Sequence, residues 1–304
     1  MGQRVWLRQE LLAAGFSVDE VRRGRQRGAI VAVRRGAYVG AGEDPPDDLD
    51  THRLRIEAAV RQLGTGAVVS HVSAAVLHGL PVWGLSLDRV HATRDRSSGA
   101  RTGRDVHLHA AAFDADEITT VGGVLVTCPA RTVVDIARSA PFDVAVAVAD
   151  AALHRPRDRP PLVTADELAV AVARSARRPG TTAARRAIAF ADGRSESVGE
   201  SRSRVAIDMA GLPAPVLQWE VQTSIGLCRV DFYWPEHRLA GEFDGRVKYG
   251  RLLKPGQHPG DAVYAEKRRE DALRAEHMGV TRWGWPDIPA FTVALGAKLA
   301  PRRG

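Results

Sequence analysis

Residues 229–271 hold the densest set of chemistry-bearing side chains in the chain. Arg-Val-Asp231-Phe-Tyr-Trp-Pro is followed by Leu-Ala-Gly-Glu242-Phe-Asp244-Gly-Arg-Val-Lys248-Tyr and then by Ala-Glu266-Lys267-Arg-Arg-Glu-Asp271. Asp231, Glu242, Asp244 and Lys248 fall in apolar, strand-like sequence, where charge is costly unless it is paired or holds a cation. Such a set suits a metal-dependent phosphodiesterase site. Carboxylate oxygens converge on a hard cation, Mg²⁺ or Mn²⁺, the metal activates water, and a lysine offsets the charge developing on a phosphoryl oxygen. On this reading Asp231 and Glu242 bind the metal, Asp244 assists, Lys248 supports the transition state, and Glu200 and Lys267 are accessory. The plainer reading stays open beside it: Asp244-Gly245 closes a strand, and Glu266 to Asp271 is a solvated helix face with pairs such as Glu266–Arg269 and Lys267–Asp271.

The elements that would position these groups are legible. Arg229 to Trp234 alternates, Pro235 and Glu236 make a turn, and Arg238 to Phe243 resumes an apolar run, so the segment is expected to be a hairpin. Glu242 and Asp244 then share one face, Phe243 takes the other, and Asp231 reaches the same end of the sheet. Residues 250–264 form a Gly/Pro-rich loop after the site, suited to a lid or a simple connection. Trp283 and Trp285 share a face of a final strand, opposite Arg282, and are expected to pack a core.

Glu200, the hairpin with Asp231 and Glu242-Phe-Asp244-Gly, Lys248-Tyr-Gly, Glu266 to Asp271 and Val-Thr-Arg282-Trp-Gly-Trp together resemble the very-short-patch-repair endonuclease-like domains of the PD-(D/E)XK superfamily. The resemblance covers about the last 110 residues. It implies a restriction-endonuclease-like α/β domain with a mixed central sheet and Mg-dependent cleavage of DNA in phage defence or repair. One position departs from the pattern: where the superfamily's Glu-x-Lys would place lysine, this chain has Asp244, so the lysine role passes to Lys248 or Lys267.

The other end of the chain has a different character. Val5, Leu7, Leu11 and Leu12 mark a first helix, and Ser17-Val-Asp-Glu20 opens a second as a capping box. Arg22, Arg23, Arg25 and Arg27 follow. Gly28 ends the helix, and Ile30 to Val33 with Gly36 to Val39 forms a hairpin wing tipped by Arg34 and Arg35. Helix, turn, basic helix and wing describe a winged helix-turn-helix whose arginines contact DNA phosphates and base edges. Leu11 to Val39, with Val69-Ser-His71 to Leu80 and Gly123 to Ala137, resembles the AbiEi-type antitoxins. That resemblance implies a transcriptional autorepressor of a toxin–antitoxin or abortive-infection system, with DNA, a cognate toxin and a second copy of the chain as partners. It offers a non-catalytic alternative to the endonuclease.

Composition frames both halves. The chain has 304 residues, 44% hydrophobic, and a net charge of +7, which suits packed cores and a polyanionic partner. Arginine-rich coding in a high-GC genome yields the same charge without a partner. Cys128 and Cys228 form no Cys-x-x-Cys, so neither a zinc ribbon nor a disulfide framework is expected. No run reaches the length of a membrane span, and a cytoplasmic protein is expected. His71 and His78 are read as structural because no third ligand lies at metal spacing, His107 and His109 likewise as strand residues, and Arg131 with Asp135 as an ordinary i,i+4 helical pair. The expected class is multi-domain α/β: a winged helix over 1–45, a mixed α/β middle over 50–180, and an endonuclease-like domain over 181–304.

Overall fold

The computed structural model describes residues 4–42, 46–64, 66–96, 99–245 and 259–300. The protein is α/β throughout and divides into two compact units, residues 1–141 with 162–188, and residues 142–161 with 189–304.

The first unit begins with β1 (Trp6–Leu7), α1 (Arg8–Ala13) and α2 (Val18–Gln26). Ser17 caps α2: the Glu20 N–H donates to its Oγ at 3.2 Å, and the Ser17 N–H donates back to Glu20 Oε2 at 2.8 Å. The wing is β2 (Ile30–Arg34) and β3 (Ala37–Gly40), which with β1 make a small sheet in the order β1-β3-β2. The first helix is shorter than its apolar spacing suggests, because Trp6 and Leu7 pair with Tyr38 and Ala37 as a strand.

Helix α3 (Asp48–Leu63) is apolar on two sides. Ala58 and Leu54 pack with Val5, Leu7, Val33 and Val39, whereas Ile56 and Ala59 join a second cluster with Val69, Val76, Val90 and Val126. The winged segment and the middle segment therefore share one helix. Behind α3 lies a six-stranded mixed sheet of β4 (Ala67–Val69), β5 (Val90–Arg94), β6 (Arg101–Thr102), β7 (Val106–Ala110), β8 (Ile118–Val121) and β9 (Val124–Thr127), ordered β6-β7-β5-β4-β9-β8. Helices α4 (His71–His78), α5 (Pro129–Ala137), α7 (Ala165–Arg174) and most of α8 (Thr181–Phe190) complete the unit. Residues 67–79 are a strand followed by a helix. Val68 and Val69 pair with β5 before Ser70 turns the chain.

Arg131 and Asp135 are far from an ordinary surface pair. Arg131 is 1% exposed, and its guanidinium lies 2.8 Å from Asp135 and 3.1 Å from Glu117. Asp135 also meets Arg138 at 3.1 Å, and Arg138 donates to the Pro179 carbonyl. The network thus ties residues 162–188 back to α5.

The second unit is built on β10 (Val216–Thr223), β11 (Gly226–Trp234), β12 (Leu239–Asp244) and β13 (Gly279–Gly284), in sequence order. The first two ladders are antiparallel and β12–β13 is parallel. Helices α9 (Val198–Met209) and α11 (Phe291–Leu299) pack on one face through Ile207, Phe291 and Leu295 against Phe232, Trp234 and Trp283. Helix α10 (Pro259–Ala275) covers the other through Leu273, against Cys228, Val230 and Ala240. The alternation expected along β11 changes phase midway. Phe232 belongs to the first core, Val230 to the second, and Gln218 on β10, at φ +53°, marks the break. Helix α6 (Phe142–Leu153) also belongs to this unit; Asp150 takes a 2.7 Å contact from Arg204 of α9 and accepts the Asp192 N–H at 2.7 Å. Burial raises the Asp150 carboxyl despite these partners.

Gly199 is where α9 touches the sheet. A Cβ there would stand 1.9 Å from Cε1 of Phe243. Gly199→Ala should therefore destabilise the second unit by about 1–3 kcal/mol, because overpacking outweighs the gain in helix propensity of about 1 kcal/mol. Urea unfolding followed by tryptophan fluorescence reads this, and Phe243→Leu in the same chain should restore part of the loss.

Candidate functional site

The carboxylates singled out in the sequence sit on the β11–β12 ladder and at the start of α9, each in its own set of contacts. Asp231 Oδ2 accepts the Phe243 N–H at 2.9 Å, which places it beside β12 as expected. Glu242 is 6% exposed and its oxygens face two guanidiniums, Arg269 of α10 at 2.5 Å and Arg282 of β13 at 2.8 Å. Arg269 thus turns to the sheet, donating as well to the Arg229 carbonyl at 2.5 Å. Arg282 also stands 3.4 Å from Glu270. Asp244 ends the strand, half-buried and aligned with Gly284.

Glu200 is buried at the first turn of α9. It accepts from the Glu196 N–H and from Gln218 Nε2, both at 2.9 Å, and from the Ser197 hydroxyl at 2.7 Å. Burial raises its carboxyl above the usual range. Lys267 is exposed on α10. Lys248 and residues 250–258 of the expected loop lie outside the described residues, and residues 259–264 open α10. Among the described residues these acids form no three-ligand group, whereas His71, His91 and His109 do. The positive charge that the buried Glu242 requires is supplied by arginine.

A second site emerges in the first unit. A cleft of about 1090 Å³ is lined by Arg8 of α1, Arg25 of α2, Arg34 and Arg35 of the wing, and Arg101 and Arg104 beside β6, with Asp105 as its acidic member. Of the arginines expected to contact DNA, Arg25, Arg34 and Arg35 line this cleft; Arg22, Arg23 and Arg27 are exposed on or just past α2 outside its lining, and Arg22 is 2.9 Å from Asp19. Arg34 is the most telling. Its Nε and Nη1 are buried with no hydrogen-bond partner among the described residues, and burial pulls its guanidinium below its usual pKa, with Asp105 acting in the opposite direction. A desolvated guanidinium facing a cleft is a preformed place for an anion. Arg8, Arg101 and Arg104 were not visible as site residues in the sequence, because each stands alone and only the topology joins them.

A third cluster was missed because it rests on His91. Parallel pairing sets His91 beside His107 and Thr93 beside His109, and His71, at φ +53° on the first turn of α4, brings its ring onto His109 at 3.7 Å. His78 stands apart, bonded to the Thr127 carbonyl at 2.8 Å. Burial first, then the neighbouring rings, lower three pKa values in the cluster, His91 to about 4, His109 to about 2 and His71 well below its usual value, while burial and then Arg89 lower His107. Arg138 and Arg131 push His71 the same way, and Asp135 opposes the shift at His109. The folded cluster refuses protons that the unfolded chain accepts. Stability present above about pH 6.5 is therefore lost as the pH falls toward the folded values. For His91 the loss between pH 7 and pH 5 is roughly 2 kcal/mol. The unfolding midpoint of the wild type should fall more steeply over that interval than that of His91→Asn; equal slopes would refute the assignment.

No family model matches the chain. Two proteins of Mycobacterium tuberculosis, named Uncharacterized protein MT2308 and Uncharacterized protein Rv2248, are each 34% identical to it over 220 residues, spanning 72% of this chain and 75% of each relative. A crystal structure of the RV2827C protein from Mycobacterium tuberculosis aligns with 71% of this chain and 83% of its own, at 14% identity and a TM-score of 0.41. Among the described residues no helix is long and apolar enough to cross a membrane. By its identity and coverage, the chain belongs to the family of MT2308 and Rv2248.

Proposed function

We propose that this protein is a cytoplasmic, DNA-binding regulator that engages the duplex through the arginine cleft of its first unit. The observation that carries this reading is the cleft itself, where half-buried Arg34, whose Nε and Nη1 have no hydrogen-bond partner among the described residues, meets five other arginines and a single acid. Phosphates are the natural complement of such a cleft, since counterion release favours binding and guanidinium forks match phosphate oxygens. The helix, turn, basic helix and wing are the elements that place Arg25, Arg34 and Arg35 there. Together with the resemblance to AbiEi-type antitoxins, this supports an autorepressor with a cognate toxin and a homodimer as further partners.

Fluorescence anisotropy with a duplex from the protein's own promoter, over 50–300 mM salt, tests it. Arg34→Ala and Arg104→Ala should each weaken binding and reduce the slope of log K against log salt by about 1. Arg22→Ala, whose side chain faces Asp19 outside the cleft, should change binding less. Binding that the cleft variants leave intact would overturn the assignment, and equal affinity for an unrelated duplex would count against a repressor.

A second reading, Mg-dependent endonuclease, is favoured by one observation: Asp231 and Glu242 stand on adjoining strands, with Asp231 bonded to the residue after Glu242. It requires a cation to compete with Arg269 and Arg282 for Glu242, and Lys248 or Lys267 to serve the transition state. Incubation of supercoiled plasmid with Mg²⁺ or Mn²⁺ should give no nicking that depends on Asp231 and Glu242. Cleavage that vanishes in both Asp231→Asn and Glu242→Gln would establish the nuclease instead.

A further inference from the structure

We infer that His71, His91 and His109 form a three-histidine site for a divalent transition metal of the Zn²⁺ class in the first unit. One ring nitrogen from each lies within 4.8 Å of the others. His109 Nε2 and His91 Nδ1 are 3.1 Å apart. Two nitrogens bound tetrahedrally at about 2.0–2.1 Å from one zinc ion stand roughly 3.3 Å apart, so this pair already spans one edge of the coordination sphere.

The three ligands come from separate elements and each is held in place. His91 and His109 are fixed by the parallel β5–β7 register. His71 occupies the left-handed region, costly for a residue with a side chain, and that conformation turns its ring toward the sheet. Its Nδ1 lies 3.0 Å from Ser70 Oγ, which in turn accepts from the Thr93 hydroxyl at 2.8 Å. Such outer hydrogen bonds orient a ligating imidazole and select its tautomer.

The donor set decides the class of ion. Imidazole nitrogen suits Zn²⁺, Co²⁺, Ni²⁺ and Cu²⁺ rather than Mg²⁺. Ligation requires neutral rings, so binding should weaken as the pH falls. The nearby fixed charges are Arg131, Arg138 and Arg178 with Glu117 and Asp135, and Arg89 beside His91 and His107. All three histidines keep partial exposure. His107 stacks on His109 at 4.1 Å and serves as a wall of the site.

The test is titration of the chelator-treated full-length chain with Co²⁺. One equivalent should bind with the intense visible absorption of a tetrahedral centre, and Zn²⁺ should displace it and raise the unfolding midpoint. His91→Ala and His109→Ala should lose the band, while His78→Ala and His107→Ala should retain it. Should the ligand variants fail to fold, X-ray absorption of the Zn²⁺-loaded wild type decides: imidazole scattering from three nitrogens near 2.0–2.1 Å supports the site. No stoichiometric binding, a band that survives in His91→Ala and His109→Ala, or a zinc spectrum without imidazole scattering would reduce the cluster to a hydrogen-bonded histidine stack.

Discussion

The first unit depends on one buried guanidinium. Arg131, 1% exposed, is out of water only because Asp135 and Glu117 meet it at 2.8 and 3.1 Å. Removing either partner from such a group costs about 3–5 kcal/mol, since an uncompensated charge is left in the interior. The same carboxylate of Asp135 takes Arg138, whose Nε holds the Pro179 carbonyl, while Arg178 donates to the Ala112 carbonyl at 2.6 Å. Helix α5, the turn before β8 and the returning segment 162–188 are thereby joined through two acids. The histidine cluster lies against this network: burial first, then the His91 ring, then Arg138 and Arg131 hold His71 well below its usual pKa.

In the second unit the same physical problem is solved with the charges reversed. Glu242 is a buried carboxylate in a strand, and Arg269 and Arg282 reach it from α10 and β13. This arrangement satisfies the requirement that a carboxylate in an apolar strand be compensated, which a metal ion would also satisfy. The chemistry suggested by the residue types and the structural role found for them have one origin, the cost of an unpaired buried charge. The contacts of Glu200 follow the same rule, with three donors on a carboxylate whose pKa burial has raised.

What was legible in the sequence was local. The capping box at Ser17, the β2–β3 hairpin, the hairpin around Pro235 and the placement of Phe243 opposite Glu242 are all set by neighbours within a few positions, and the structure has them. What was hidden depends on distant pairing. The phase change at Gln218 has no pattern of its own, and β1 is too short to show one. Asp135 with Arg131 looks like any i,i+4 pair until Glu117 arrives through the sheet. The histidine set needed the β5–β7 register to bring His91 and His109 together across seventeen intervening residues.

Arginine serves two opposed purposes here, and the net charge conceals the division. Arg131, Arg138, Arg204, Arg269 and Arg282 each face a buried or half-buried acid, so their charge is spent inside the fold. The cleft arginines are matched by a single acid, Asp105. A coding bias toward arginine would scatter positive charge over the surface without regard to topology. It does not account for six arginines from α1, α2, the β2–β3 hairpin and the segment around β6 converging on one cleft, where Arg34 keeps two buried nitrogens without a partner among the described residues. Six arginines against one acid make this cleft a place where positive charge is set by topology as well as by composition.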